Sequence, residues 1–356
     1  MRQIRIVLFS VIMSIFVLGY FQSLSQAQEL FDHDKILELT LTGNANELIK
    51  DRGDDPQYHA LKLSYKDEKT GLIELPVEIK VRGHFRKLKQ NCSYPPFLLN
   101  FSKEETKNSI FQGQDKIKLV TPCKDEKYVV REYLVYKLYN QLTPKSFRVR
   151  LVKFDFQSAE TRFKDIEPLF GILIEDEDQM AKRNNAVSVG GKIVRPQQTL
   201  EADFLNMAVF EYLIGNTDWS VQYLQNVKLI AADSLSVPST VAYDFDHAGI
   251  VGAPYARPAS ELLLSSTRER RYRGYCIDEM NQFEAVLSRY IQYKDDLYKV
   301  YTESPLIDEG YRKSTVKYLD DFFKIINDPK KLKREFQYPC QADGTGNVVI
   351  KGLKKD

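Results

Sequence analysis

The spacing of apolar residues changes about halfway along the chain, and this change limits the folds open to it. In the first half, apolar and polar residues mostly alternate, as on a strand with one buried face. Five strands are predicted here, at Ile36–Leu41, His59–Tyr65, Ile73–Val81, Phe97–Phe101 and Lys116–Val120. A helix at Glu126–Leu142, capped by Asp125, then precedes two further strands at Phe147–Phe156 and Leu169–Glu175. The acidic run 175–178 ends this half as a connector.

The second half has mainly helical spacing. Helices are predicted at Thr199–Ile214, Asp278–Arg289 and Glu309–Ile326, and a hairpin at Asn226–Ala231 and Val237–Tyr243. This order predicts an α+β fold with a β-rich N-lobe, one helix packed on it, and a mainly helical C-lobe. Bilobal protein-kinase-like enzymes have this layout, and unrelated α+β proteins can share it.

The N-terminus has the parts of a secretory signal peptide. Arg2 and Arg5 form a basic start, residues 6–21 are almost wholly apolar, and Ser25-Gln26-Ala27 is a small-x-small cleavage site. A membrane anchor is the alternative, but it needs about 20 apolar residues, and this run is shorter. We therefore predict a signal peptide (1–27), an N-lobe (28–176), a C-lobe with the hairpin (177–345) and a tail (346–356), with no membrane span after cleavage. The location is periplasmic, cell-surface or secreted.

Composition argues against two classes of protein. The 21 Tyr and 20 Phe residues are not typical of a disordered chain. Without Arg2 and Arg5 the 51 Lys and Arg residues fall to 49, equal to the 49 Asp and Glu residues. A nucleic-acid-binding protein usually has a basic surplus, so no nucleic-acid partner is expected.

The four cysteines are Cys92, Cys123, Cys276 and Cys340. Their spacing matches no zinc site, and an even number in an exported protein favours disulfides. Three pairings are possible. We favour Cys92–Cys123 with Cys276–Cys340, because each bond then lies within one half; free buried cysteines are the alternative.

Two acidic segments of the second half carry the candidate chemistry. Gly215-Asn216-Thr217-Asp218 follows a helix and leads to Asn226, and the hairpin ends at Tyr243-Asp244-Phe245-Asp246. In a hairpin the start of the first strand lies beside the end of the second, so Asp218, Asn226 and Asp244 are expected to converge. Phosphoryl transfer uses such a set: one carboxylate positions the acceptor hydroxyl, and an Asn and an Asp hold magnesium.

These residues resemble the CotH-type kinases, a family first described from bacterial spore coats. The resemblance covers about half of the mature chain, from Arg82-Gly83 through the strand with Phe170-Gly171 to the two acidic segments. It implies ATP with Mg²⁺ or Mn²⁺ as cofactors. Asp218 then looks like the catalytic aspartate, Asn226 and Asp244 look like metal ligands, and Asp246 assists them.

Each segment also has a purely structural interpretation. Asn-Thr-Asp after a helix is a common cap and turn, and Tyr-Asp-Phe-Asp is compatible with solvated carboxylates or a calcium site. Arg82-Gly83 is compatible with a tight turn. His247 is predicted to be a hydrogen-bonded loop residue, and Trp219 a packing residue.

The nucleotide-binding residues are predicted from the kinase pattern of a strand Lys paired with a helix Glu. Lys116 and Lys118 lie on one face of a strand, and Lys118 with Glu132 is the preferred pair. Arg82 and Glu175 complete the predicted cofactor-binding residues. CotH-type kinases usually have a Lys-Lys pair after Arg-Gly. Here the sequence reads Lys87-Leu88-Lys89, and a Gly-rich phosphate loop is not evident.

Three functions follow from these residues. The first is an exported kinase that phosphorylates a protein or surface-polymer hydroxyl. The second is a kinase-shaped binding module at the cell surface or in the periplasm that has lost catalysis. The third is a hydrolase with a metal held by Asp218, Asp244 and Asp246.

Overall fold

The computed structural model of the chain describes residues 29–157, 167–191, 194–275 and 279–337. These residues form two compact units. The first contains the described residues up to Thr121 together with Arg150–Ile174, and the second contains Pro122–Val149 and the described residues from Glu175 onward. The second part of the second unit begins at Glu175, one residue before position 176, where the predicted N-lobe ends. The helix that we placed in the N-lobe belongs to the second unit.

The first unit is a closed barrel of seven strands. The strands are β1 (Leu37–Thr42), β2 (His59–Asp67), β3 (Gly71–Val81), β4 (Phe97–Asn100), β5 (Lys116–Val120), β6 (Val149–Gln157) and β7 (Leu169–Ile174). Their order around the barrel is β1-β2-β3-β4-β5-β7-β6. Parallel pairing of β1 with β6, from Leu37 opposite Val152 to Thr42 opposite Gln157, closes it. A short helix, α1 (Ala45–Lys50), follows β1.

Alternation along the strands explains the barrel interior. In β3, Leu75, Val77 and Ile79 are buried, while the residues between them are exposed. Because successive side chains of a strand point to opposite faces, one apolar row from each strand fills the barrel. The sequence predicted all seven strands. It did not predict the closure, which is a correction to the predicted N-lobe, because a parallel pair so distant in sequence leaves no local signal.

Gly171 is required by the packing inside this barrel. A Cβ at position 171 would lie 2.8 Å from Leu119 Cδ1 and 3.0 Å from Phe154 Cε1. Both neighbours are fully buried core side chains. The Phe170-Gly171 pair therefore has a structural role whatever the function.

We expect Gly171→Ala to lower the free energy of unfolding by about 1–3 kcal/mol, because an added methyl group overpacks a filled core. Urea denaturation followed by tryptophan fluorescence and circular dichroism would measure this. Gly53→Ala is the matched control, since a Cβ at Gly53 meets no atom within 4 Å. Equal effects of the two substitutions would contradict this packing argument.

The second unit consists of helices and a small sheet. Its helices are α2 (Glu126–Leu142), α3 (Glu177–Arg183), α4 (Glu201–Ile214), α5 (Glu284–Gln292), α6 (Lys294–Thr302), α7 (Glu309–Ile326) and α8 (Pro329–Phe336). The sheet contains β8 (Val187–Ser188), β9 (Val227–Ala231) and β10 (Ser239–Ala242), in the order β10-β9-β8. The mixed α+β class is confirmed, and α2 and α7 have their predicted bounds.

The predicted acidic connector forms helix α3. Asp176 caps it by accepting hydrogen bonds from the main-chain N–H groups of Asp178 and Gln179. Acidic residues in the first turn also suit the positive end of the helix dipole. The acidic run is therefore a helix start, which corrects our interpretation of it as a connector.

Helix α4 is buried on all sides, not on one face alone. Every residue from Phe204 to Ile214 is buried. Gly215 ends the helix with a left-handed backbone angle (φ 69°), and a Cβ there would lie 2.2 Å from Tyr318 Oη. Glycine at this position therefore lets the chain leave a buried helix within one residue.

The predicted disulfide between Cys92 and Cys123 is present. Such a bond is worth a few kcal/mol of stability. Cys276 and Cys340 lie outside the described residues, as do the predicted signal peptide and tail. None of the helices in the described part of the chain is long and apolar enough to cross a bilayer.

Candidate active site

The two acidic segments lie side by side in the second unit because their main chains are hydrogen-bonded. Gly249 N–H donates to the Gly215 carbonyl (3.1 Å), and Ile250 N–H donates to that of Ile214 (3.0 Å). At the hairpin, Tyr243 N–H donates to the Asn226 carbonyl at 3.0 Å. The predicted hairpin is confirmed, with Val227 opposite Ala242 at its open end. Both ends of the second segment are thus fixed to the first.

Asp218 lies in a loop that its neighbours hold firmly. Its N–H donates to Asn216 Oδ1 at 3.0 Å, an Asx turn directly after helix α4. Its carboxylate accepts hydrogen bonds from the side-chain amides of Gln225 and Asn226. Asp218 and Asn226 therefore meet, as the hairpin geometry predicted.

The side-chain amide of Asn226 orients Asp218. Its Nδ2 donates to the Asp218 main-chain carbonyl at 2.6 Å and to the Asp218 carboxylate at 3.1 Å. Its backbone is left-handed (φ 50°), a conformation that Asn tolerates better than most residues. Both contacts use the amide nitrogen, so the oxygen Oδ1 takes no part in the contact with Asp218.

Asp244 and Asp246 follow strand β10. Asp244 is left-handed (φ 61°), and its N–H donates to the hydroxyl of Tyr136 on α2 at 3.1 Å. Asp246 is buried and accepts a hydrogen bond from the Tyr255 hydroxyl at 3.1 Å. The Asp246 charge acts on Asp218 and raises its pKa, which indicates that the two carboxylates are neighbours.

His247 also faces Asp218. Its Nδ1 lies 3.8 Å from Asp218 Oδ2, beyond hydrogen-bonding distance, and its ring lies 5.7 Å from the ring of Tyr255. A protonated His247 would stabilise the Asp218 carboxylate electrostatically. The sequence predicted only that His247 is a hydrogen-bonded loop residue. Its contact with Asp218 joins positions that are far apart in the sequence, so residue spacing gave no sign of it.

The surroundings of Asp218 suit it to act as a proton acceptor. Burial raises its pKa above the ordinary value, while His247, Arg273 and the Asn226 amide oppose this rise. A carboxylate whose pKa moves toward neutrality is a better general base than a fully solvated one.

Sequence reasoning missed two charged residues next to this loop. Arg273 Nη1 donates to the carbonyls of Thr217 and Trp219, and the guanidinium lies 5.6 Å from the Trp219 ring. Trp219 itself is buried, as predicted. Glu211 on α4 is fully buried, and among the described residues neither of its carboxyl oxygens has a hydrogen-bond partner of normal geometry. The nearby Asn216 amide only partly offsets a pKa that burial raises far above the ordinary value.

The predicted nucleotide-binding residues occur in both units. Lys118 lies half-buried on the outer face of β5, and Arg82 follows β3 with its N–H donating to the Pro96 carbonyl. Glu132 is buried on α2. Their nucleotide contacts stay predictions.

Glu175 is fully buried and paired. One carboxylate oxygen lies 3.1 Å from Arg148 Nη2 and the other 2.9 Å from Arg183 Nη2. Arg148 N–H also donates to it at 2.9 Å. These partners account for the burial of a charged side chain, so its predicted role in cofactor binding would have to use the main chain.

The donor set suits a magnesium ion better than a softer metal. In the part of the chain that the structure describes, no three or more His, Cys, Asp or Glu side chains form a group that could hold a metal. The predicted set consists instead of the amide oxygen of Asn226 and the carboxylates of Asp244 and Asp246. Mg²⁺ is typically held by one or two carboxylates, keeps several waters and uses phosphate oxygens as further ligands. The predicted set has this chemistry, and metal binding by these residues stays a prediction.

Comparison with known proteins gave limited information. No family model matches the chain, and no curated protein matches it. The chain is similar to the crystal structure of a Helicobacter pylori proinflammatory kinase, CtkA, with a TM-score of 0.41 and 13% sequence identity. The match covers 70% of this chain and 92% of that one.

We expect Glu211→Gln to stabilise the protein increasingly as the pH rises from about 5 to about 8. In the folded chain the raised pKa keeps Glu211 protonated to a higher pH, whereas the unfolded chain releases the proton near its ordinary value of 4.5. The unfolded state then binds fewer protons, so the wild type loses stability with rising pH and the Gln variant does not share this loss. Urea unfolding of both proteins across this range measures the difference. A difference that is independent of pH would contradict burial of a protonated Glu211.

Proposed function

We propose that this protein is an exported, metal-dependent kinase of the CotH type. It transfers the γ-phosphoryl group of ATP to a hydroxyl of a protein or surface polymer. The observation that carries the proposal is the double contact of the Asn226 amide with Asp218, next to the Tyr243–Asn226 hydrogen bond that brings in Asp244. This arrangement supports the proposal because Asp218 and Asn226, to which the family resemblance assigns the base and one metal ligand, are in direct contact.

Each residue then has a defined task. Asp218 accepts the proton of the attacking hydroxyl and orients it in line with the γ-phosphorus. Asn226 Oδ1 and the Asp244 carboxylate hold Mg²⁺ or Mn²⁺, with Asp246 assisting. The ion, when bound, neutralises charge on the transferred phosphoryl group. Lys118 and Arg82 are proposed to contact the ATP phosphates, and Glu132 and Glu175 are further proposed cofactor-binding residues.

Export is part of the proposal. The Cys92–Cys123 disulfide supports it, because disulfides persist mainly in oxidising compartments. The basic, apolar and small-x-small segments of residues 1–27 support it as well.

Asp218→Asn should lower the rate of phosphoryl transfer by about 100-fold or more, because an amide cannot accept the proton of the acceptor. The assay follows transfer of labelled γ-phosphate to the protein itself and to casein, with Mg²⁺ and with Mn²⁺. Asp233→Asn is the matched control. It is the same substitution at the far end of the hairpin, where Asp233 caps the turn by accepting from Leu235 and Ser236 N–H. An unchanged rate in Asp218→Asn would remove this residue from the mechanism.

A second candidate is an inactive kinase-like binding module. The observation that favours it comes from the segment after Arg82-Gly83, whose side chains bind within the protein. Lys87 Nζ donates to the Gly53 carbonyl. Arg52 also donates to the carbonyls of Cys92 and Ser93. Lys87 is therefore occupied within the first unit, where CotH-type kinases usually have their Lys-Lys pair. Calorimetric titration with Mg-ATP separates the candidates, since the absence of binding together with absent transfer would favour the module.

Export predicts a specific mature form. Protein recovered from its native cells should have an intact mass that begins at Gln28, and Cys92 and Cys123 should resist alkylation until they are reduced. An uncleaved N-terminus with freely alkylated cysteines would contradict export.

A further inference from the structure

Arg273 makes an unusual contact with the loop that carries Asp218. The guanidinium donates to two main-chain carbonyls, those of Thr217 and of Trp219 at 2.7 Å. These carbonyls belong to the residues on either side of Asp218. A single planar donor group therefore fixes the backbone on both sides of the proposed base.

The Trp219 side chain, which follows Asp218, is also held in place. The Trp219 ring is buried and lies 6.3 Å from the ring of Phe204 on α4. The Arg273 guanidinium lies over that indole at 5.6 Å. Arg273 thus joins the loop to a buried aromatic layer, and the backbone of Asp218 cannot rotate without breaking these contacts.

The residue type suits this role. Burial lowers the pKa of Arg273 to about 10, opposed by the carboxyl groups of Asp218 and Glu211, so Arg273 stays charged at neutral pH. The guanidinium has five donors in a rigid plane, whereas a lysine ammonium is a point charge on a flexible stem. Lysine could keep the charge but not this double contact with fixed geometry.

We propose that Arg273 is a positioning residue for phosphoryl transfer, which holds Asp218 in the orientation needed to accept a proton. The proposal rests on the proposed function and adds a residue to it. Arg273 does not touch the reacting atoms. It acts through the peptide groups of Thr217 and Trp219, and its removal should affect the chemical step more than nucleotide binding.

Arg270 provides a close control three residues earlier. It also donates to two main-chain carbonyls, those of Leu213 and Tyr318, and its guanidinium lies 3.6 Å from the Tyr318 ring. Burial lowers its pKa as well. Neither carbonyl flanks Asp218, so Arg270 tests the cost of disturbing a partly buried arginine without moving the proposed base.

The test compares Arg273→Lys with Arg270→Lys. For Arg273→Lys we expect kcat to fall about 10- to 100-fold with little change in KM for Mg-ATP, because misplacing a reacting group by about 1 Å costs that much. Arg270→Lys should lose stability to a similar degree with a much smaller change in kcat. Equal kcat losses in the two variants, or a rise in KM without a loss of kcat, would overturn the proposal.

Amide hydrogen exchange supplies a readout that does not depend on activity. Exchange in residues 216–226 should be faster in Arg273→Lys than in the wild type and unchanged in Arg270→Lys. Unchanged exchange in both variants would overturn the positioning role. If exchange is faster in Arg273→Lys but the wild type transfers no phosphoryl group, the proposed function is overturned. The conclusion that Arg273 holds this loop in place would then still stand.

A measurement on the wild type covers the case in which Arg273→Lys fails to fold. The guanidinium protons of Arg273, observed by nitrogen-15 NMR, should exchange slowly because the group is partly buried and donates to two carbonyls. Exchange as fast as that of the exposed Arg257 would overturn the proposal.

Discussion

The side-chain amide of Asn226 is the contact on which the candidate site depends. By donating to both the carbonyl and the carboxylate of Asp218, it fixes the proposed base and leaves its own oxygen out of that contact. The main chain of Asn226 accepts from Tyr243, so the same residue sets the position of Asp244. This contact adds a side-chain link to the main-chain hydrogen bonds that already hold the two acidic segments side by side.

Neighbouring charges act on the carboxylate of Asp218, which is partly buried. Burial and Asp246 raise its pKa, while His247 and Arg273 lower it. Glu211 lies deeper, and burial raises its pKa well above the ordinary value, which favours its protonated, neutral form. Arg273 supplies a positive charge that favours the ionised form of Asp218.

The sequence predicted the parts of this protein that depend on local pattern. Alternation located the strands, helical spacing gave α2 and α7 their bounds, and hairpin geometry brought Asp218 to Asn226. It could not predict the parallel β1–β6 pairing, the burial of α4 on all sides or the contacts of Arg273. These arise between segments distant in the chain, where residue spacing carries no information. Short helices such as α3 were missed because they have too few turns to show a period.

The measurement that tests the central claim most directly is the position of a bound metal ion. Crystals grown with Mn²⁺ and a non-hydrolysable ATP analogue would show the ion by its anomalous scattering. The account predicts a peak within about 2.0–2.3 Å of Asn226 Oδ1 and an Asp244 carboxylate oxygen, with phosphate oxygens completing the shell. A peak elsewhere, or a nucleotide bound with no metal contact to these two residues, would contradict it.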